Sequence, residues 1–276
     1  VMNSQREVIY KRRKNALSGE RLSLDVINMI TDTLYSILES EEDSRQIEEV
    51  RSDIIMTFSD ESLINQLDFK KLDESLDDSI NGLSEQIKSN YHNKLSRIKD
   101  SAYPVIQNIF ESKDNNYKNI LIPFTDGLKT ISVVCNLEKA VLDKGESIIQ
   151  SFERGVFLSF IDKAWKDHLK EMDDLKQSVQ GAVYEQKDPL LIYKFESFNL
   201  FKQMLDEINR NTLSFLFKAN LPQRDPKELK DHVNHNKLIG RASRGQEERK
   251  NTTNTNSNQH LSRRQRREQA RKMKRG

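Results

Sequence analysis

Few side chains in this sequence are spaced for chemistry. His232 and His235, beside Asp231, have the i, i+3 spacing of metal ligands on a helix, but no third ligand is clustered with them, and two histidines do not make a zinc site. Asp77 and Asp78 resemble an acid–base pair only in sequence; neighbouring carboxylates on a helix point in different directions and read as a solvated face. Gly240 and Gly245 have the glycine spacing of a phosphate-binding loop, yet Gln246 and Glu247 stand where lysine and a hydroxyl are needed, and a carboxylate there repels phosphate. No serine, histidine and acid form a triad. The single cysteine, Cys135, lies in an apolar run that suits a buried, inert thiol. The expectation is a chain with no catalytic or metal-binding residues and no cofactor of its own. The residue best suited to act is Tyr184, in a loop from Gly181 to Lys187: a phenol rests on varied side chains while its hydroxyl bonds exposed backbone. The plainer reading of Tyr184 is a loop residue packed against helix ends.

Two helical patterns must position that loop. Phe157, Ile161, Ala164, His168, Met172, Leu175 and Val179 follow one another at intervals of three or four and draw one stripe along a helix. Leu191, Phe195, Phe198, Phe201, Leu205, Ile208, Thr212, Phe215 and Ala219 draw a second, and each arm is the nearest cover for the other. Asp188 suits the helix N-cap and Pro189 the first turn, where no intrahelical donor is lost. Arms of nearly thirty residues are on the order of 40 Å long at 1.5 Å per residue, which carries the loop far from the helix roots. Trp165 and His168 lie on or beside the first stripe and read as a buried anchor and a satisfied core histidine.

The fold class is mainly α. The 276 residues are 35% hydrophobic and 32% charged, with mean hydropathy −0.78, which favours elongated helices over one thick core. No apolar run reaches the length of a membrane span, no secretory signal opens the chain, and one cysteine excludes internal disulfides. The start at Val1, without cap or linker, reads as a piece of a longer protein. The spacing predicts a long helix from Arg6 to Leu38, polar in its first half and needing neighbours, then striped by Val26, Ile27, Ile30, Leu34, Ile37 and Leu38. Glu39 to Glu85 carries fifteen acidic against four basic residues and reads as short helices and loops. A further long helix presents Ile87, Tyr91, Leu95, Ile98, Val105 and Ile109, ending by Lys113 to Asn116. Ile120–Phe124 and Thr130–Val134 around an Asp126-Gly127 turn form a β-hairpin; Pro123 cannot donate to a ladder and marks an edge, and two strands alone must lean on helices. Beyond Leu221-Pro222 a basic tail is expected to stay disordered, since Asn251 to Asn258 is only Asn, Thr and Ser. From Arg241 on, twelve basic against three acidic residues give +9, leaving −7 for the first 240 within a total of +2.

Phe152-Glu153-Arg154-Gly155-Val156, Trp165-Lys166-Asp167-His168-Leu169, Met172-Asp173, Tyr184 to Pro189 and Tyr193 to Phe198 resemble the two-helix finger of the SecA family of preprotein translocase motors. Val1 to Arg6 with Ile9-Tyr10 resemble the start of that family's long scaffold helix. The resemblance implies residues 1–40 as scaffold helix, 41–145 as helical wing, 146–222 as two-helix finger and 223–276 as C-terminal linker. It implies a motor that pushes unfolded preprotein through the SecYEG channel, with Tyr184, Val183 and Ala182 at the fingertip against the polypeptide. ATP and magnesium would serve the nucleotide-binding domains of the full-length chain; this piece alone has none. The protein would be cytoplasmic, peripheral at the inner face of the cell membrane. The family often carries Arg-Gly-Tyr at the tip, where this chain has Ala182-Val183-Tyr184. The hairpin is an insertion not shared by every wing of the family, and the zinc module that would contact SecB is not encoded.

A different class of function competes: a non-enzymatic helical adaptor that uses the same hairpin of helices to bind a partner helix, with a basic tail, Arg263 to Arg275, for RNA or membrane. That tail could also lie on anionic lipid or near the ribosome; no aromatic residues are interleaved for base stacking, and a solvated tail is the bland reading.

Overall fold

The computed structural model describes residues 1–19, 21–38, 47–66, 76–112, 117–179 and 188–222. Helix α1 (Met2–Ser18) is followed by α2 (Leu22–Leu38), α3 (Ile47–Phe58), a 3-10 turn (Glu61–Gln66) and the long α4 (Leu76–Glu111). Strands β1 (Asn119–Thr125) and β2 (Thr130–Asn136) form an antiparallel hairpin, and α5 (Leu137–Leu142), α6 (Glu146–Ser178) and α7 (Pro189–Lys218) complete the described fold. The mainly helical class with one small hairpin is as expected. Of the acidic region, residues 47–66 form the short α3 and the 3-10 turn as expected, whereas 76–85 are the start of the long α4.

The helix expected over Arg6 to Leu38 is two helices. Gly19 sits at φ 73°, a left-handed conformation that glycine adopts without a Cβ penalty, and its N–H caps the carbonyl of Asn15 at 3.1 Å. The polar α1 also finds its neighbours within this chain: Gln5, Ile9 and Ala16 are buried, and the helix packs on α6. In α4 the buried stripe runs Tyr91, Ile98, Ala102 and Ile106, whereas Val105 and Ile109, assigned inward by the pattern, are exposed. At 100° per residue Val105 and Ile109 lie within about 20° of Ile98, so the period alone does not set them apart; beyond Ile98 the buried face turns toward Ala102 and Ile106, in the stretch of α4 that holds Pro104.

The hairpin leans on α6. Ile122, Phe124, Val133 and Cys135 face the core, and Phe124 stacks on Phe152 with ring centroids 4.1 Å apart. Gly155 makes the approach possible, because a Cβ there would lie 2.5 Å from Val133 Cγ1. The outer edge of β1 pairs once with the chain leaving α7: Thr125 and Asn220 exchange N–H···O bonds of 3.0 and 2.9 Å. The next hydrogen-bonded pair in that register would be 123 and 222, both prolines, so neither can donate and the pairing stops.

The long α4 is tied to the α6/α7 pair by three polar contacts, one of them the exposed Lys99–Glu146 ion pair at 3.3 Å. Tyr91 donates to Glu153 Oε1 at 2.9 Å in the interior, and Lys94 Nζ donates to the carbonyl of Phe217 near the end of α7. Burial pushes the Lys94 ammonium down from 10.5 to about 8. Between these values the unfolded chain binds more protons, so this group makes stability rise as pH climbs from about 8 toward 10.5. Lys94→Met is expected to flatten that rise, as measured by denaturant unfolding at pH 7.5, 9 and 10; an unchanged slope would contradict it.

Candidate functional site

Helices α6 and α7 run antiparallel. Phe160 meets Phe215 at one level, with centroids 6.0 Å apart, and His168 meets Phe201 further along at 5.8 Å. With 33 and 30 residues, the helices are roughly 50 and 45 Å long. Asp188 caps α7 as expected: its Oδ1 accepts from Leu190 N at 2.8 Å, and Pro189 occupies the first turn. Ala182, Val183 and Tyr184 lie outside the described residues, as do the tail, His232, His235, Gly240 and Gly245. The structure does bring the two roots of the loop together. Val179, Pro189, Leu190 and Tyr193 line one groove of about 490 Å³ with Met2 and Met172, and Asp173 and Lys176 supply its charges.

The two stripes behave differently. On α6, Phe157, Ile161, His168 and Met172 are buried as the pattern requires. On α7 the second half follows the pattern through Ile208, Thr212, Phe215 and Ala219, but Leu191, Phe195 and Phe198 face solvent, 66%, 63% and 65% exposed. The buried position in that half is Ser197, which lines up with Met204 and Ile208. The apolar residues keep helical spacing, yet they mark the outer face of the arm.

Ser197 is buried because α1 reaches it. Gln5 Nε2 donates to the Ser197 carbonyl at 2.9 Å, and Gln5 Oε1 lies 3.2 Å from His168 Nε2. With its amide nitrogen committed to α7, Gln5 offers only its oxygen to α6, so His168 Nε2 carries the proton. That leaves His168 Nδ1 as a buried acceptor without a hydrogen-bond partner among the described residues. Burial holds the imidazole below its usual value and favours the neutral ring. Trp165, half-buried, packs its ring 5.6 Å from His168. Further along, Arg12 donates to Asn209 on α7 at 3.4 Å and Arg13 to Asp162 on α6 at 2.9 Å. Sequence reasoning missed this seam, for a glutamine in a polar helical stretch carries no periodic signal.

Cys135 is buried, with Sγ 3.8 Å from Ser147 Oγ, and fits the inert thiol expected. Among the described residues no three His, Cys, Asp or Glu side chains come together to hold a metal ion, and no helix is long and apolar enough to cross a membrane. What the described residues form is a long, two-helix arm.

An antiparallel helix pair, clasped by a third helix and flanked by a smaller helical region, is the architecture of a helical scaffold. The family model described as the SecA wing and scaffold domain matches residues 1–220, and the chain belongs to that family. It is 47% identical over 225 residues to the protein translocase subunit SecA of Flavobacterium psychrophilum and 48% identical over 223 residues to that of Christiangramia forsetii. The corresponding protein of Parabacteroides distasonis is 42% identical over 225 residues. These matches cover 80 to 82% of this chain but 20% of each relative, so the chain spans about a fifth of their length.

Proposed function

We propose that this chain is the scaffold, wing and finger portion of an ATP-driven protein-translocation motor. Residues 1–40 would supply the scaffold helices, 41–145 the wing, 146–222 the finger and 223–276 a linker. The α6/α7 arm holds a loop against preprotein at the mouth of the SecYEG channel, and Tyr184, with Val183 and Ala182, makes the contact. The family match supports the placement, and the observation that carries the mechanism is the stiff antiparallel pair whose capped ends converge on that loop. Hydrolysis of ATP with magnesium belongs to nucleotide-binding domains elsewhere in the full-length chain. The working location is the cytoplasmic face of the cell membrane.

The test is Tyr184→Ala in a full-length SecA carrying this segment. Transport of a preprotein into vesicles bearing the channel is expected to fall about 5- to 30-fold, the scale of losing one or two kcal/mol of contact. Hydrolysis without preprotein should hold. Transport at the native rate would overturn the assigned contact.

A further inference from the structure

We infer that Gln5 is a positioning residue that sets the register of α1 against both arms of the α6/α7 hairpin. The inference deepens the motor reading and rests on it only where transport is measured. Three polar ties join α1 to the arms, and they differ in reach. Arg12 touches α7 through Asn209, and Arg13 touches α6 through Asp162. Gln5 engages both arms through one amide, to Ser197 O at 2.9 Å and His168 Nε2 at 3.2 Å.

Burial makes this tie selective. Gln5 is 6% exposed, His168 1% and Ser197 0%, so no water replaces a lost partner cheaply. The neighbours of Gln5 on the same face enforce one register. A slide of α1 by one turn, about 5.4 Å, would bring Val1, Met2, Val8 or Ile9 opposite His168. None of those four side chains donates or accepts a normal hydrogen bond, and each would leave the histidine N–H buried and unmatched. A lone buried polar residue in an apolar helix contact fixes register in this way, because every alternative alignment strands a polar group. His168 has no second option either: its Nδ1 already lacks a partner among the described residues. A displacement of α1 thus reaches both arms through one side chain.

The experiment uses the full 276-residue chain with spin labels at Tyr10 on α1 and Lys166 on α6, both exposed. The unsubstituted chain should give one narrow label-to-label distance and, by nitrogen NMR, a single Nε2–H tautomer at His168. Gln5→Leu keeps volume and removes both bonds; the population at other distances should rise about 5- to 30-fold, the factor that one or two kcal/mol makes. The tautomer should become mixed. Gln5→Glu retains the acceptor for His168 and loses the donor to Ser197, so it should keep Nε2 protonated while broadening the distance. If Gln5→Leu fails to fold, by loss of helical circular dichroism, Gln5→Glu decides the matter by that split. A narrow distance and an unmixed tautomer in a folded Gln5→Leu chain would overturn the inference, as would a Gln5→Glu chain indistinguishable from the unsubstituted one. Transport by full-length SecA bearing Gln5→Leu tests the other half: a broadened register with native transport per ATP would show that transport does not depend on this register, while leaving the register assignment standing.

Discussion

Phe152→Ala is expected to lower the unfolding free energy by about 3–5 kcal/mol, the range for deleting a buried aromatic ring. Phe152 has no exposed surface and stacks on the equally buried Phe124 at 4.1 Å and 29°, so the ring joins α6 to the hairpin. A two-stranded hairpin is marginal alone and takes its stability from that floor. The loss should therefore be cooperative, with the signals of Ile122 and Val133 shifting along with those of α6. At about 2–4 °C per kcal/mol for a region of this size, the melting temperature should drop by roughly 6–20 °C. Leu128→Ala at the hairpin tip is the control. Leu128 is 93% exposed, and its replacement should change stability by no more than about 0.5 kcal/mol. A loss below about 1 kcal/mol for Phe152→Ala, in guanidinium unfolding, would contradict the packing described.

The second large effect concerns the acid beneath α4. Glu153 is 4% exposed, and its resolved side-chain partner is the phenol of Tyr91. Burial raises its pKa above the usual 4.5, the Tyr91 hydrogen bond pulls it partly back, and Glu146 adds a small upward push. The sign follows from linkage: stability from this group is complete below 4.5 and is lost as pH rises through the raised native value. Tyr91→Phe removes the donor that favours the carboxylate, at a cost of about 1–3 kcal/mol once the acid ionises. The cost should be smaller at pH 4, where the acid is protonated. Glu153→Gln cannot ionise, accepts the same hydrogen bond, and should be more stable than the parent at pH 7 with a flatter profile between pH 4 and 7. Unfolding free energies for the three chains at both pH values check this. Equal losses for Tyr91→Phe at pH 4 and pH 7 would show that the acid is not the cause.

Local rules reached much of this architecture. The hairpin was readable because Ile120–Phe124 and Thr130–Val134 flank an Asp-Gly turn, and Asp188-Pro189 announced the start of α7 chemically. The long arms followed from three-and-four spacing. What stayed hidden depends on partners distant in sequence. Leu191, Phe195 and Phe198 satisfy the helical period as well as any core stripe, but Gln5 occupies the inward side by bonding Ser197, more than 190 residues away. Gly19 was visible, yet the apolar stripe resuming at Val26 made one helix look continuous; the left-handed backbone at that glycine is a tertiary choice. Of the candidate site, the arm and its cap could be read, whereas the Gln5–His168 seam could not, because pairing between two polar side chains leaves no period.

The most direct test of the account places a photo-crosslinking amino acid at position 184 of a full-length SecA carrying this segment, with a preprotein stalled in the channel. An adduct with the stalled preprotein is expected, dependent on ATP and absent when the crosslinker sits at the exposed Lys163, far down the same arm. Adducts confined to the protein's own α6 and α7, with none to preprotein in any nucleotide state, would contradict it.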